Sequence, residues 1–128
     1  TLLRDVPTAA PAIQEEVFGP VTPVVRFDSA EEALGLANAT EYGLAASGWS
    51  RGTCRAGRAA REIAAGCVWV NDHIPIISEM PHGGYKHSGF GKDMSQYSFD
   101  EYTQVKHVSF DITGEVRKDW HRTIFGDR

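Results

Sequence analysis

Blocks of apolar and polar residues between positions 21 and 71 predict strands and helices in alternation. Residues 21–27 are β-branched and aromatic, which suits a strand with Pro23 near its beginning. A second short strand is predicted over residues 44–50, after a turn at Tyr42–Gly43. Residues 67–71 are almost uniformly apolar, as in a strand that is covered on both faces.

Two helices are predicted between these strands. Ser29 is a suitable N-cap with Glu32 three residues later, and apolar residues recur at helical spacing to about Asn38. Thr53 is expected to cap the second helix, which ends before Gly66. Its buried stripe is predicted to contain Ala56, Ala59, Ala60, Ile63 and Ala64. The order of these elements predicts a parallel, right-handed α/β unit.

A glycine-rich loop follows at residues 81–93, with glycine at positions 83, 84, 89 and 91. Glycine is required where φ is positive or where backbone approaches another group closely. A loop that follows a buried strand is also where α/β proteins place ligand contacts. We therefore interpret this loop as the best indicator of a functional site.

Beyond the loop, residues 97–102 predict one short helical turn. Residues 103–110 alternate polar and apolar side chains, which indicates a half-exposed strand. The tail, residues 111–128, has no clear period, but its aromatic residues argue against disorder. We expect the strand and the tail to pack on another subunit.

Composition excludes several classes of partner. The net charge of −4 gives no electrostatic reason to expect nucleic acid or an acidic membrane surface. No apolar run approaches the roughly 20 residues that a membrane helix requires. The two cysteines are too few for a disulfide framework or a zinc site, so we expect reduced thiols and a cytoplasmic protein. The chain starts at Thr1, and we expect it to continue something longer.

A second polar group lies upstream, where Glu15 and Glu16 precede Phe18. A pair of adjacent glutamates is most often a solvated turn. In extended backbone, however, a carboxylate and an aromatic ring two residues apart face the same side. Such a pair can accept hydrogen bonds from ribose hydroxyls and lie against a planar heterocycle. The spacing alone leaves both interpretations open.

These motifs together resemble the aldehyde dehydrogenases, over residues 2–107. The matching stretches, in the order found in that family, are EEVFGPV at 15–21, YGLAA at 42–46, GCVWVN at 66–71 and the Pro-x-Gly-Gly-x-Lys-x-Ser-Gly-x-Gly loop. The chain is similar to the C-terminal part of such an enzyme. Residues 78–84 and 91–95 resemble the γ-aminobutyraldehyde and betaine aldehyde dehydrogenase branch.

The resemblance implies a fold, a reaction and an assembly. Residues 1–102 would be the three-layer, parallel α/β portion of the catalytic domain. Residues 103–128 would be an oligomerisation strand and tail of a homo-oligomer. In the intact enzyme a cysteine thiolate attacks the aldehyde, hydride passes to the nicotinamide of NAD, and a glutamate-activated water releases the acid. The choice of NAD over NADP is made outside this chain.

The resemblance also assigns site residues. Glu16 would bind the nicotinamide ribose, and Phe18 would pack near the nicotinamide. Residues 74–82 would line the aldehyde entrance, where Ile76 and His82 match positions that are often aromatic in relatives. Glu79 would face a substrate ammonium such as that of 4-aminobutyraldehyde, or simply solvent.

The family's catalytic motifs do not occur in these 128 residues. The Gly-Gln-x-Cys and Glu-Leu-Gly-Gly contexts are absent, as is a Gly-x-Gly-x-x-Gly turn. Cys54 and Cys67 are interpreted as inert small hydrophobes. His73, His82 and His87 lack the spacing of metal ligands. We therefore expect no catalytic residue, no metal and no NAD bound to the chain alone. The alternative is a non-catalytic module for binding and assembly.

Overall fold

The computed structural model describes residues 1–126 of the chain, and its elements are short. The strands are β1 (Leu2–Arg4), β2 (Thr22–Val24), β3 (Tyr42–Gly43), β4 (Ala45–Gly48), β5 (Cys67–Val70) and β6 (Tyr85–Lys86). The helices are α1 (Pro11–Gln14), α2 (Ala30–Asn38), α3 (Thr53–Glu62), α4 (Ser95–Glu101) and α5 (Asp119–Phe125). No helix within residues 1–126 is both long and apolar enough to cross a membrane.

The strands pair in twos rather than in one continuous sheet. β4 and β5 are parallel, with Ser47 opposite Trp69, and α3 connects them, which confirms the α/β class and this part of the predicted unit. The first strand of that unit does not join them, because β2 pairs with β1. β1 and β2 form a second parallel pair, and β2 is shorter than the predicted strand at 21–27. β3 pairs with β6 in antiparallel fashion, Tyr42 opposite Lys86. The sequence did not predict β6, because its two residues lie inside the glycine-rich loop.

The predicted cap is confirmed for α2 and wrong for α3. The Glu32 amide donates to the Ser29 hydroxyl over 3.0 Å, and the Glu32 carboxylate accepts from the Asp28 amide at 2.7 Å. In α3 the N-cap is Gly52, and Thr53 is already helical. The Gly52 amide donates to the hydroxyl of Ser50 over 3.1 Å, just before the helix begins.

Polar side chains join α2 to α3. The Arg58 guanidinium lies 2.6 Å from a Glu31 carboxylate oxygen and 3.0 Å from one of Glu62. Hydrogen bonds from Arg58 hold the pKa of both carboxyl groups below its ordinary value. At the other end of the pair, the Asn38 amide group donates to the Glu62 carbonyl and accepts from the Ala64 amide, both at 2.7 Å. Both ends of α2 are therefore held against the middle and the C-terminus of α3.

Little of the chain is enclosed. Ala65 is the one apolar side chain among residues 1–126 that is buried, at 9% exposure. The expectation that residues 67–71 are covered on both faces is wrong: β5 is half-buried and Val70 is 37% exposed. A two-stranded sheet with one helix beside it leaves its second face open. Ala60, assigned to the buried stripe of α3, is also exposed.

The C-terminal third differs most from expectation. α4 confirms the predicted helical turn, but residues 103–110 form no strand within the described part of the chain. A strand needs a hydrogen-bonded neighbour, and the described residues supply none there, so its role in assembly stays a prediction. α5 lies in the tail, where the pattern showed no period. Residues 127 and 128 of the predicted tail lie outside the described residues.

Candidate functional site

Close backbone approaches at three glycines hold the glycine-rich loop against the strands. We call Gly43, Gly66 and Gly83 the glycine seam. A Cβ atom on Gly66 would overlap the carbonyl oxygen of Gly83, and one on Gly43 would overlap the carbonyl oxygen of Ala64. A Cβ on Gly83 would lie 2.5 Å from the carbonyl oxygen of Gly91. Each seam glycine is therefore required by the space available, as the sequence predicted for the loop.

Other glycines of the loop serve its turns. Gly89 and Gly91 have φ of +121° and +78°, a region that L-residues rarely occupy. Both reasons for the high glycine content are therefore confirmed. The close contacts of Gly84 and Gly91 are with the loop's own residues and with α4.

Lys86 and Ser88 fasten the loop to the rest of the molecule. The Lys86 ammonium donates to the carbonyl of Asn38 at 3.0 Å and to that of Thr40 at 2.9 Å, at the C-terminus of α2. A cation is favourable there, because the last carbonyls of a helix lack intrahelical donors. The Ser88 hydroxyl accepts from the Gly43 amide at 3.0 Å.

His82 lies at the base of the loop. Its amide donates to the Asp93 carbonyl over 2.8 Å, and the Asp93 amide donates back over 2.6 Å. His82 also lines a cavity of about 420 Å³. Lys92 and Glu101, which are joined by a 3.2 Å hydrogen bond from the Lys92 amide to the carboxylate, line this cavity too. A cation and a carboxylate therefore stand beside the predicted entrance residue.

Glu16 lines a second cavity, of about 530 Å³, between the end of α1 and the β3–β4 segment. Leu44 and Ser88 line both cavities, so the one with Glu16 borders the one with His82. Phe18 lines neither of the two, and its ring is 91% exposed. Phe18 has a φ of +47°, which is not an extended conformation. The placement of Glu16 and Phe18 on the same side therefore stays a prediction.

The predicted entrance segment is exposed over residues 74–80 and half-buried at Pro81 and His82. Ile76 is 52% exposed, and the Glu79 carboxylate accepts a hydrogen bond from the Ser78 hydroxyl at 3.0 Å. The segment is anchored at its beginning, where the indole N–H of Trp69 donates to the Pro75 carbonyl over 2.9 Å. The structure therefore gives Ile76 and Glu79 an open, anchored position, and places His82 in the cavity wall.

Sequence reasoning missed a side-chain cluster around His73. The Ser47 hydroxyl lies 2.6 Å from Nδ1 of His73, and the rings of Trp49 and Trp69 lie beside the imidazole. Ser47 and His73 are 26 positions apart, and neither stands in a recognisable motif. Their meeting depends on the parallel register of β4 and β5, which a single sequence does not specify.

Neither thiol is placed as a nucleophile. Cys54 is exposed on α3, and Cys67 is half-buried in β5. Burial raises the pKa of the Cys67 thiol, which reduces its reactive thiolate fraction. Residues 1–126 also contain no group of three or more His, Cys, Asp or Glu side chains placed to hold a metal ion.

Comparison with protein families matches residues 1–108 to the family described as the aldehyde dehydrogenase family. Betaine aldehyde dehydrogenase of Bacillus subtilis is 49% identical over 96 residues, which is 75% of this chain and 20% of the relative. The chloroplastic betaine aldehyde dehydrogenase of Beta vulgaris is 42% identical over 115 residues, 90% of this chain and 23% of the relative.

Solved structures give the same result. Indole-3-acetaldehyde dehydrogenase of P. syringae, in complex with NAD+ and IAA, superposes with a TM-score of 0.79 at 46% identity, covering 82% of this chain and 21% of that one. Betaine aldehyde dehydrogenase of Staphylococcus aureus, in complex with NAD+, gives a TM-score of 0.77 at 40% identity over 79% and 20% of the two chains. The chain thus spans about a fifth of the length of these proteins.

We predict that Gly66→Ala lowers the free energy of unfolding by about 1–3 kcal/mol, because the added methyl group must displace backbone at Gly83. Gly35→Ala is the matched control: it lies inside α2 with nothing within 4 Å of its Cβ position. That change should instead raise stability by up to about 1 kcal/mol. Urea unfolding followed by circular dichroism measures both, and a Gly66→Ala chain as stable as the parent contradicts the seam.

Proposed function

This chain belongs to the aldehyde dehydrogenase family, and we propose that it supplies the C-terminal part of an NAD-dependent enzyme that oxidises an aldehyde to a carboxylic acid. Residues 1–102 would form part of the catalytic domain, and residues 103–128 an oligomerisation strand and tail. The proposal rests on two neighbouring cavities, one lined by Glu16 and the other by His82. They connect the predicted cofactor-binding residue with the predicted substrate-entrance residue.

Glu16 and Phe18 are the residues of this chain that would contact NAD. The structure gives the Glu16 carboxylate no hydrogen-bond donor among residues 1–126, so it is available to a ribose diol, and the Phe18 ring is open to a planar group. Their chemistry therefore fits the nicotinamide riboside end of the cofactor. NAD supplies the hydride acceptor when it is bound. Glu16 would orient the ribose, and Phe18 would shield one side of the ring from water.

For the substrate we propose an aminoaldehyde such as 4-aminobutyraldehyde. Similar proteins are named betaine aldehyde dehydrogenases, and betaine aldehyde, like the protonated aminoaldehyde, carries a cationic nitrogen. The Glu79 carboxylate is exposed and has no cationic partner among the described residues. It would attract the ammonium group at the entrance, with Ile76 and His82 against the aliphatic chain. Because both thiols are free, we assign the enzyme to the reducing cytoplasm.

The activity test compares the chain with a hybrid enzyme. The chain alone should form no NADH, since it lacks the nucleophile, the base and the dinucleotide fold of the family. A hybrid in which this chain replaces the matching segment of the Bacillus subtilis relative should oxidise 4-aminobutyraldehyde in preference to uncharged butyraldehyde. Glu79→Gln should reduce that preference. Turnover by the chain alone contradicts its predicted inactivity, and a folded but inactive hybrid contradicts the proposed function.

In the same hybrid, Glu16→Gln should reduce kcat/KM for NAD by roughly tenfold to a hundredfold. This is the loss expected when hydrogen bonds to a charged group are weakened. Glu15→Gln is the matched control, because it removes the same charge one residue away in the same cavity wall. Equal effects of the two changes would show that only net charge matters, and would exclude a specific contact at Glu16.

Assembly is tested by the size of the protein in solution. We infer that residues 103–110 add a strand to another subunit, since Val105 is fully exposed and Phe110 is 85% exposed. Light scattering should therefore find the chain as an oligomer, and a chain ending at Tyr102 as a monomer. A monomeric full chain would contradict both this inference and the alternative role as an assembly module.

A further inference from the structure

His73 is held by side chains from two neighbouring strands. Ser47 and Trp69 stand opposite each other in the parallel β4–β5 pair. The His73 imidazole sits beside this pair, with Nδ1 2.6 Å from the Ser47 hydroxyl and its ring centroid 5.7 Å from that of Trp69, nearly edge-on at 75°. Trp49 stands at 6.5 Å on a tilted plane. One imidazole thus makes one polar and two aromatic contacts.

The contacts of His73 anchor the chain at one point, and a second anchor follows two residues later, at Pro75. The backbone between these two anchors is strained. The Trp69 indole N–H donates to the Pro75 carbonyl over 2.9 Å. Ile74, between His73 and Pro75, has φ of +77°. A β-branched residue adopts this conformation only where its surroundings impose it. The two anchors lie on either side of Ile74 and supply that constraint.

The segment beyond the anchors is exposed and makes few main-chain hydrogen bonds. Residues 76–80 are all exposed; the Met80 amide donates to the Ile77 carbonyl at 3.0 Å, and the Ser95 amide donates to the Ser78 carbonyl at 2.9 Å. Ile76 therefore lies between the contacts at residues 73–75 and the contact at Ser78, and Glu79 directly follows Ser78. Loss of the His73 anchor would let Ile74 relax and would leave Ser78 as the next fixed point of the segment.

We propose that His73 is a positioning residue, which fixes the segment carrying Ile76 and Glu79 at the mouth of the aldehyde site. This inference rests on the proposed function of that segment. It assigns His73 no contact with substrate or cofactor. The imidazole is suited to the task because it combines a ring for Trp49 and Trp69 with a nitrogen for Ser47.

Substitutions separate these two properties. His73→Phe keeps the ring and removes the nitrogen, whereas His73→Asn keeps a polar atom near the position of Nδ1. Ser47→Ala removes the partner hydroxyl. The double variant His73→Phe with Ser47→Ala should be no worse than either single variant, because both changes remove the same hydrogen bond. Tyr97→Phe, which also removes a polar atom from a ring, is the control at an exposed residue of α4 outside the segment.

The first measurement uses the 128-residue chain and does not depend on activity. The Trp69 indole N–H reports directly on the Pro75 anchor by NMR. Its exchange with solvent should become about fivefold to tenfold faster in His73→Phe and in Ser47→Ala, the fold-change expected for loss of one hydrogen bond. The indole of Trp120, which lies on α5, should not change. An unchanged Trp69 signal in His73→Phe overturns the proposal.

The second measurement uses the hybrid enzyme. His73→Phe and Ser47→Ala should raise KM for 4-aminobutyraldehyde by about fivefold to tenfold, with kcat and KM for NAD nearly unchanged. His73→Asn should restore part of the lost affinity. A KM of His73→Phe equal to that of the Tyr97→Phe control overturns the positioning role. If the unsubstituted hybrid is inactive, the proposed function fails, and the Trp69 signal decides the His73 anchor by itself.

Discussion

The contact of backbone with backbone at the glycine seam is the constraint on which the other features depend. Gly66 directly precedes β5 and Gly83 lies near the start of the loop, and their main chains touch with no room for a side chain. The seam brings the loop beside β3, where the β3–β6 pair, the Lys86 cap of α2 and the Ser88 hydrogen bond form. Loop residues line both cavities, with Ser88 common to the two.

Elements specified by nearby residues were predictable from the sequence. The Ser29 cap, the apolar spacing of α2 and α3, and the parallel β4–α3–β5 unit follow from contacts within about one turn or from the order of elements. The prediction failed where a distant partner decides the outcome. β5 is apolar enough to be covered on both faces, yet its exposure depends on layers that these residues do not provide. Residues 103–110 alternate like a strand, and residues 1–126 provide no strand for them to pair with.

The candidate site was predictable to the extent that family motifs mark it. Those motifs indicated Glu16, Phe18 and the segment with Ile76, Glu79 and His82, but gave no distances between them. The His73 cluster has no motif, because serine, tryptophan and histidine are common and their meeting depends on strand register. The left-handed backbone of Phe18 could not be foreseen either, since a phenylalanine has no intrinsic preference for that conformation.

The hydrogen bonds of Asn38 and Lys86 also imply an order of assembly in time. The Asn38 side chain bonds to Glu62 and Ala64 across 24 and 26 positions, whereas Lys86 reaches the Asn38 carbonyl across 48. Each doubling of a loop adds about 0.6 kcal/mol of closure entropy, so bringing the two helices together costs less than docking the glycine-rich loop. This difference favours pairing of the helices before the loop docks. Changes at Lys86 should then act mainly on the rate at which the protein unfolds.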